Sequence, residues 1–457
     1  MTNVPPTPNA TPPSNAAPNA TLPPGPSTPR SLQAVRALFS PRLGLPRLRA
    51  RYGDTVTIQL PVYGKAVVIS DPADVKQLYR TSPEIADKLD ASLGRVLGSG
   101  SLFSITGEQH RKQRKLLVPP FHGRRLGAYE RIVEQEALAE FAQWPQDRLF
   151  ATLPSMRRLT LNIILRAVFG ARAAESDRLR ELLPRLVTLG SKLVVLPVPA
   201  NGVGPWNPWQ RFRELRAEYD RVIAGMIDRA EQDADVDERE DVLALLLQSR
   251  YDDGSRMDRG EIADQLLTLL SAGHETITNT LAWAVERLRR HPAVLRELTA
   301  EVDAGGSTLR AAAIIEVQRT RPVVILTERK IKGDGLQLGR WWLPKDSIVF
   351  TSIDLMHRDP RLFPDPDTFD PHRFVDAKPD AYQWIPFGGG NRRCIGAAFA
   401  TMEMDVVLRT MLREFILLPT AKPGERWRSR GVAHAPAKGG RAVVRRRTSG
   451  GETSAMR

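Results

Sequence analysis

One cysteine is all that the 457 residues contain. An internal disulfide framework, a four-cysteine zinc site and a metal cluster held by several cysteines of this chain are therefore excluded. So small a cysteine complement fits a reducing compartment, and cytoplasmic residence is the expectation. Long apolar runs are also missing. The longest candidate, residues 193–199, falls far short of the roughly 18 to 20 residues that a membrane-spanning helix needs, and it contains proline. The N-terminus has no positive segment followed by an apolar one, so no secretory signal is expected. Neither a flavin nor a nicotinamide fingerprint occurs, and no nucleic-acid recognition module is recognisable.

What is there reads as a globular enzyme. Hydrophobic residues make up 42% and charged residues 26%, enough apolar material for a sizeable core. No clean interdomain linker interrupts the middle, which predicts one large unit over 31–446. Residues 1–30 are built mainly of Pro, Asn, Thr and Ala, with PNATPP at Pro8 repeated as PNATLPP at Pro18. They are expected to form a disordered tail, and 447–457 a flexible one. Basic residues exceed acidic ones by 66 to 52, a net charge of +14. That excess favours an acidic partner, although solvated surface charge explains it equally well.

Between residues 55 and 70 the pattern VTIQL, then VYGKAVVIS, predicts two strands. Asp71-Pro72 after them reads as a helix cap with proline at the first helical position. Apolar residues three or four apart predict helices over most of 108–316, with breaks at Pro119-Pro120, Pro145, 206–209 and Pro292. Short strands are expected at 323–326, 336–338 and 348–351, and a helix over 395–412. The fold class is therefore mainly α with a small β-sheet region. Residues 356–390 are crowded with Pro, Asp, Gly and aromatic residues. A loop that long inside a compact domain is usually functional.

That loop runs into FGGGNRRCIG at 387–396, where a glycine-rich turn delivers Cys394 to the start of a helix. Free backbone N–H groups and the positive helix end favour a sulfur anion there, and Arg392 and Arg393 add positive charge. Gly396, Ala397 and Ala398 let the backbone approach a flat cofactor closely. A lone cysteine is more often an inert, buried small hydrophobe. The surrounding residues decide otherwise, because the segment resembles the haem-binding loop of the cytochrome P450 family, Phe-x-x-Gly-x-Arg-x-Cys-x-Gly. It matches at Phe387, Gly390, Arg392, Cys394 and Gly396. The resemblance implies that Cys394 is the proximal ligand of a haem iron, a thiolate ligation already known for that family as a class.

A second element lies on a helix expected from Asp258 to Arg290, opened by the capping pair Asp258 and Glu261. Its run LLTLLSAGHETITNT places Gly273, Glu275, Thr276, Thr278 and Asn279 inside an otherwise apolar stretch, which weakens a buried helix. Taken alone this is a surface-facing stripe. AGHET at 272–276, however, resembles the family's oxygen-binding motif. The resemblance implies that Gly273 makes room for oxygen, Thr276 holds it by a hydrogen bond and Glu275 relays protons. His274 is expected at the surface or behind the site, not on the iron.

Glu316 and Arg319, three apart on a helix expected at 309–319, resemble the family's Glu-x-x-Arg pair. Phe369-x-Pro371-x-Arg373-Phe374 resembles the segment that completes its buried charge network, which implies a structural role for Glu316, Arg319 and Arg373. For the haem propionates the resemblance points to His110 and Arg114, four apart on one helix, to Arg329 and to Arg392. It spans residues 52–418 with the motifs in the expected order. One departure is a short connection, 302–309, between His291 and Glu316.

Membership would imply the cytochrome P450 triangular-prism fold, with haem b clamped between the central helix and the cysteine loop. The implied activity is a monooxygenase that inserts one oxygen atom of O2 into a hydrophobic small molecule. Electrons would come from a separate ferredoxin or flavodoxin with its reductase, docking on a basic face near Arg111, Lys112, Lys115 and Arg393. Segments 89–105, 193–209, 266–272 and 323–326 are expected to line the pocket, and no nucleic-acid partner is expected. A peroxide-dependent peroxygenase, an isomerase and a non-catalytic haem sensor remain open on the sequence.

Overall fold

The computed structural model describes residues 22–28, 41–60, 64–89, 93–170, 175–194 and 207–447. Most of the expected N-terminal tail, nearly all of the expected C-terminal one and most of the 193–209 pocket segment lie outside these residues. Residues 22–28 run beside the first strand, where the Thr57 N–H donates to Pro24 O at 3.0 Å and Thr57 Oγ1 to Pro23 O at 2.6 Å.

Among the described residues one five-stranded sheet is built from β1 (Thr55–Leu60), β2 (Gly64–Ile69), β3 (Ala86–Asp87), β4 (Leu326–Ile331) and β5 (Ile348–Ser352). Their order is β1-β2-β5-β4-β3, with β2 parallel to β5 and every other neighbouring pair antiparallel. β-Branched residues such as Val67, Val68, Ile69 and Val349 suit the pleat and are buried in it. β4 begins three residues later than the sequence suggested. Residues 323–325 are engaged elsewhere, since Val323 O accepts from the His434 N–H and Ile325 O from the Ile353 N–H, both at 2.9 Å.

Helix α1 (Pro72–Arg80) follows β2. It starts with Pro72 and is capped by Asp71 Oδ1, which accepts from the Ala73 N–H at 2.8 Å, and its buried Val75, Leu78 and Tyr79 pack on the sheet. The helical layer comprises α2 (Gly107–Leu117), α3 (Arg125–Phe141), α4 (Leu153–Phe169), α5 (Ser176–Leu193), α6 (Pro208–Gln232), α7 (Arg259–Leu288), α8 (Pro292–Asp303), α9 (Thr308–Thr320) and α10 (Ala397–Glu414).

The axis of that layer is α7, 30 residues and thus about 45 Å long. Its capping box forms as expected, with the Glu261 N–H donating to Asp258 Oδ1 at 2.7 Å and the Asp258 N–H to Glu261 Oε2 at 3.1 Å. It packs against α4, α9 and α10, burying Leu266, Leu267, Leu270, Ile277 and Leu281. Each such side chain contributes about 1.5–3 kcal/mol of transfer free energy. The expected weakening at 273–279 does not break the helix. Thr276 Oγ1 donates back to Ala272 O at 2.9 Å and Thr280 Oγ1 to Thr276 O at 3.0 Å, while the backbone stays helical throughout. Packing on several sides outweighs local propensity here.

The short connection before α9 closes on itself. The Leu309 and Arg310 N–H groups donate to the Glu301 carboxylate of α8 at 2.6 and 2.9 Å, so one side chain caps the next helix across the tight turn.

Candidate functional site

Cys394 sits three residues ahead of α10, in a loop that rests on α1. Its N–H donates to Phe387 O at 2.9 Å, closing the turn. A Cβ on Gly389 would fall 2.2 Å from the Tyr79 ring, and one on Gly390, whose φ is +65°, 2.2 Å from Tyr79 O. Only glycine permits that approach and that backbone. Gly390→Ala is therefore expected to cost about 1–3 kcal/mol and to lower haem retention, read by denaturant titration and haem content. An unchanged midpoint would show that the loop does not depend on this contact.

A cavity of about 360 Å³ lies between this loop and α7. Phe387, Cys394 and Gly396 line it from the loop, and Leu269, Ala272, Gly273 and Thr276 from α7. The Cys394 side chain is accessible from the cavity, although protein encloses it on nearly every other side. Burial pushes its thiol up, and the Gly396 N–H, Arg114 and Arg393 pull it back only in part. The backbone N–H and Arg393 thus act in the expected direction, toward the anion, and burial opposes them more strongly. A coordinated cation would deprotonate the thiol outright.

The cavity rim gathers His110, Arg114, Arg329 and Arg392. Burial, then the neighbouring Arg392 and Arg114, lowers His110 to about 3, so its ring is neutral at ordinary pH. Arg392 uses three of its five N–H donors on protein acceptors. It donates to Asp87 Oδ1 at 2.8 Å and to the carbonyls of Leu102 and Ile105 at 2.9 and 3.0 Å. Asp87, which nothing in the sequence singled out, is the counterion. Burial alone would raise its carboxyl, but the Arg392 charge and the Lys88 and Gly107 N–H groups hold it below the usual range. Arg329 donates to Gly389 O at 3.2 Å and lies over the Tyr79 ring. Arg114 and Arg329 form no ion pair among the described residues. Enclosed cations without counterions are costly, so this rim fits a ligand that carries two carboxylates. At Gly396 an added Cβ would meet no protein atom within 4 Å, as expected where a ligand face lies beside the backbone. The residues present therefore fit haem.

On the distal side Thr276 faces the cavity and Glu275 does not line it. The Glu275 carboxylate lies 3.6 Å from Arg157 of α4 and accepts from Asn279 Nδ2 at 3.4 Å. Gly273 lines the cavity, and a Cβ there would also crowd Ile164 of α4 at 3.1 Å, so helix packing is a second reason for glycine. His274 corrects the surface alternative offered for it. It is buried at 1% exposure, its Nδ1 lies 2.6 Å from Leu270 O, and burial lowers its ring so that it stays neutral.

Behind the loop, Glu316 and Arg319 are both wholly buried. Arg319 Nε and Nη2 donate to the two Glu316 oxygens at 2.6 and 2.7 Å, and the guanidinium also donates to the carbonyls of His357, Pro366 and Thr368. Arg373 approaches Glu316 Oε1 more loosely, at 3.5 Å. Sequence reasoning missed His357, whose Nε2 accepts from the Ile385 N–H at 3.0 Å and so ties this network to the cysteine loop. Burial, then the Arg319 charge, lowers His357 to about 3, which keeps that nitrogen free to accept.

Comparison with known proteins is consistent with this geometry. The family model described as cytochrome P450 matches residues 40–436. The putative cytochrome P450 138 of Mycobacterium tuberculosis (strain ATCC 25618 / H37Rv) is 51% identical over 419 residues, 92% of this chain and 95% of that protein. The putative cytochrome P450 135B1 of the same strain is 36% identical over 442 residues, covering 91% and 90%. Among solved structures, retinoic acid bound cyanobacterial CYP120A1 superposes with a TM-score of 0.83 at 24% identity, over 94% of this chain and 100% of that one.

Proposed function

Because the chain belongs to the cytochrome P450 family, and is thus an oxidoreductase of the haem-thiolate monooxygenase type, we propose that it hydroxylates or otherwise oxygenates a hydrophobic small molecule. The observation that carries this reading is the cavity itself, with the lone Cys394 on one wall, Thr276 on the opposite helix and a cationic rim. In this proposal Cys394 ligates the iron of haem b. Arg114, Arg329 and His110 receive its propionates, with Arg392 anchored between them and Asp87, and Phe387 and Gly396 flank its face. When bound, the haem supplies oxygen activation and insertion; the protein supplies position, access and protons.

Thr276 holds a hydroxyl at the cavity wall, and its bond to Ala272 O leaves the oxygen lone pairs free to accept a proton or a hydrogen bond. Glu275, one residue away and held by Arg157 and Asn279, is the proposed proton relay.

The cytoplasm is the proposed compartment, with one catalytic domain over 31–446 flanked by two tails. No helix among the described residues is long and apolar enough to cross a membrane. A ferredoxin or flavodoxin with its reductase is the proposed electron source. Arg111, Lys112 and Lys115 each lie against an acidic residue, Glu108, Asp253 and Asp252 respectively, so the proposed docking charge rests chiefly on exposed Arg393.

Turnover tests the reading. With an electron donor and O2 the haem-loaded protein is expected to oxygenate substrate. Thr276→Ala is expected to keep consuming reductant while product per electron falls about tenfold or more. Turnover supported by peroxide alone would instead favour a peroxygenase, and substrate-independent binding without turnover a haem sensor.

A further inference from the structure

Glu328 stands apart from the catalytic groups. Its neighbours on β4 face the cysteine loop, since Thr327 Oγ1 lies 2.8 Å from the Tyr79 hydroxyl and the Arg329 guanidinium 5.3 Å from the Tyr79 ring centroid. Glu328 lies between them on the strand, and all three residues line the cavity. Protein encloses the Glu328 carboxyl on nearly all sides. Among the described residues no other residue forms a hydrogen bond or ion pair with it, only its own backbone N–H. An enclosed carboxyl without a partner costs free energy, and a ligand group can recover that cost.

The walls around it say what kind of ligand. Leu93, Phe103, Leu269, Val323, Val324 and Ile353 line the same cavity and offer only apolar surface. The charged groups that face Glu328 are Arg329, Lys88 and Arg392, all cations. The cations near Glu328 would compete with a cationic ligand for its carboxylate, and a second carboxylate would meet Glu328 itself. A neutral hydrogen-bond donor suits both constraints.

Resting on the monooxygenase reading, we propose that Glu328 is a specificity-determining residue of this cavity and receives the hydroxyl of an otherwise apolar substrate. Anchoring one end fixes which carbon lies beneath Thr276, so the same contact also directs where oxygen is inserted.

Ligand-induced shifts of the haem spectrum measure this as binding, apart from turnover. The probes are 1-decanol, n-decane and decyltrimethylammonium, applied to the haem-loaded full chain. Wild type is expected to bind 1-decanol about tenfold tighter than n-decane, the ratio one net hydrogen bond supports. Glu328→Leu should remove that difference with n-decane binding unchanged, and Glu328→Gln, which keeps an acceptor, should retain part of it. Undiminished discrimination in Glu328→Leu overturns the proposal, as does tighter binding of decyltrimethylammonium than of 1-decanol by wild type. Loss of haem in both variants would assign Glu328 to the cofactor edge and also overturn it. The ferrous carbon monoxide spectrum of wild type separates the two layers. Without a thiolate band the monooxygenase reading falls and this inference with it. With the band present, a failed discrimination test removes Glu328 alone.

Discussion

Cys394→Ser is expected to abolish the red-shifted Soret band of the ferrous carbon monoxide complex and, with it, oxygenation of substrate. The exchange is small in volume, and the backbone bond from residue 394 to Phe387 O does not involve the side chain. Global stability should therefore change by less than about 0.5 kcal/mol, as for other substitutions outside the packed core. What changes is the ligand. A serine hydroxyl is far less acidic than a thiol and donates much less electron density, so a haem held there would lack the thiolate donor expected of residue 394. As the chain has no second cysteine, no other thiolate can substitute. A carbon monoxide difference spectrum, normalised to haem content, reads the outcome. A wild-type band typical of histidine ligation would remove Cys394 from the iron.

The cysteine loop was legible because its signal is local: ten consecutive residues carry it, and Gly389 and Gly390 are demanded by contacts with Tyr79 of α1. The α7 capping box and the Glu316–Arg319 pair were readable for the same reason, since partners three residues apart meet on any helix. Asp87 was not, because its partner Arg392 is 305 residues away and no pattern near Asp87 announces the pair. For His274 the sequence left the surface and a place behind the site both open, because a polar residue on an amphipathic helix normally faces water. Here α7 is packed on several sides, and the backbone carbonyl of Leu270 takes one nitrogen of the buried ring, Nδ1, while Nε2 has no hydrogen-bond partner among the described residues. Glu328 stayed invisible because its place in the cavity lining depends on tertiary packing that no local pattern announces. The thiol of Cys394 shows the limit of summing favourable charges, since sequence displays the arginines and hides the burial that opposes them.

Glu316→Ala should be the most damaging single change to the fold, about 3–5 kcal/mol, because it strands the wholly buried Arg319 charge. That is a large share of the roughly 5–15 kcal/mol by which a domain is stable. Arg319→Lys should be nearly as harmful despite keeping the charge. The planar guanidinium serves both Glu316 oxygens and the carbonyls of His357, Pro366 and Thr368, a set that one ammonium cannot reach. Replacing both partners by leucine should cost less than Glu316→Ala alone, because no charge is then left behind, although the three carbonyls still lose their donors. Denaturant midpoints compare the three variants, and haem loss follows the same order if the path from Arg319 through His357 to Ile385 holds the loop. A cost below about 1 kcal/mol for Glu316→Ala would mean that water reaches Arg319 and that the cysteine loop draws its rigidity from the glycine contacts with Tyr79 instead.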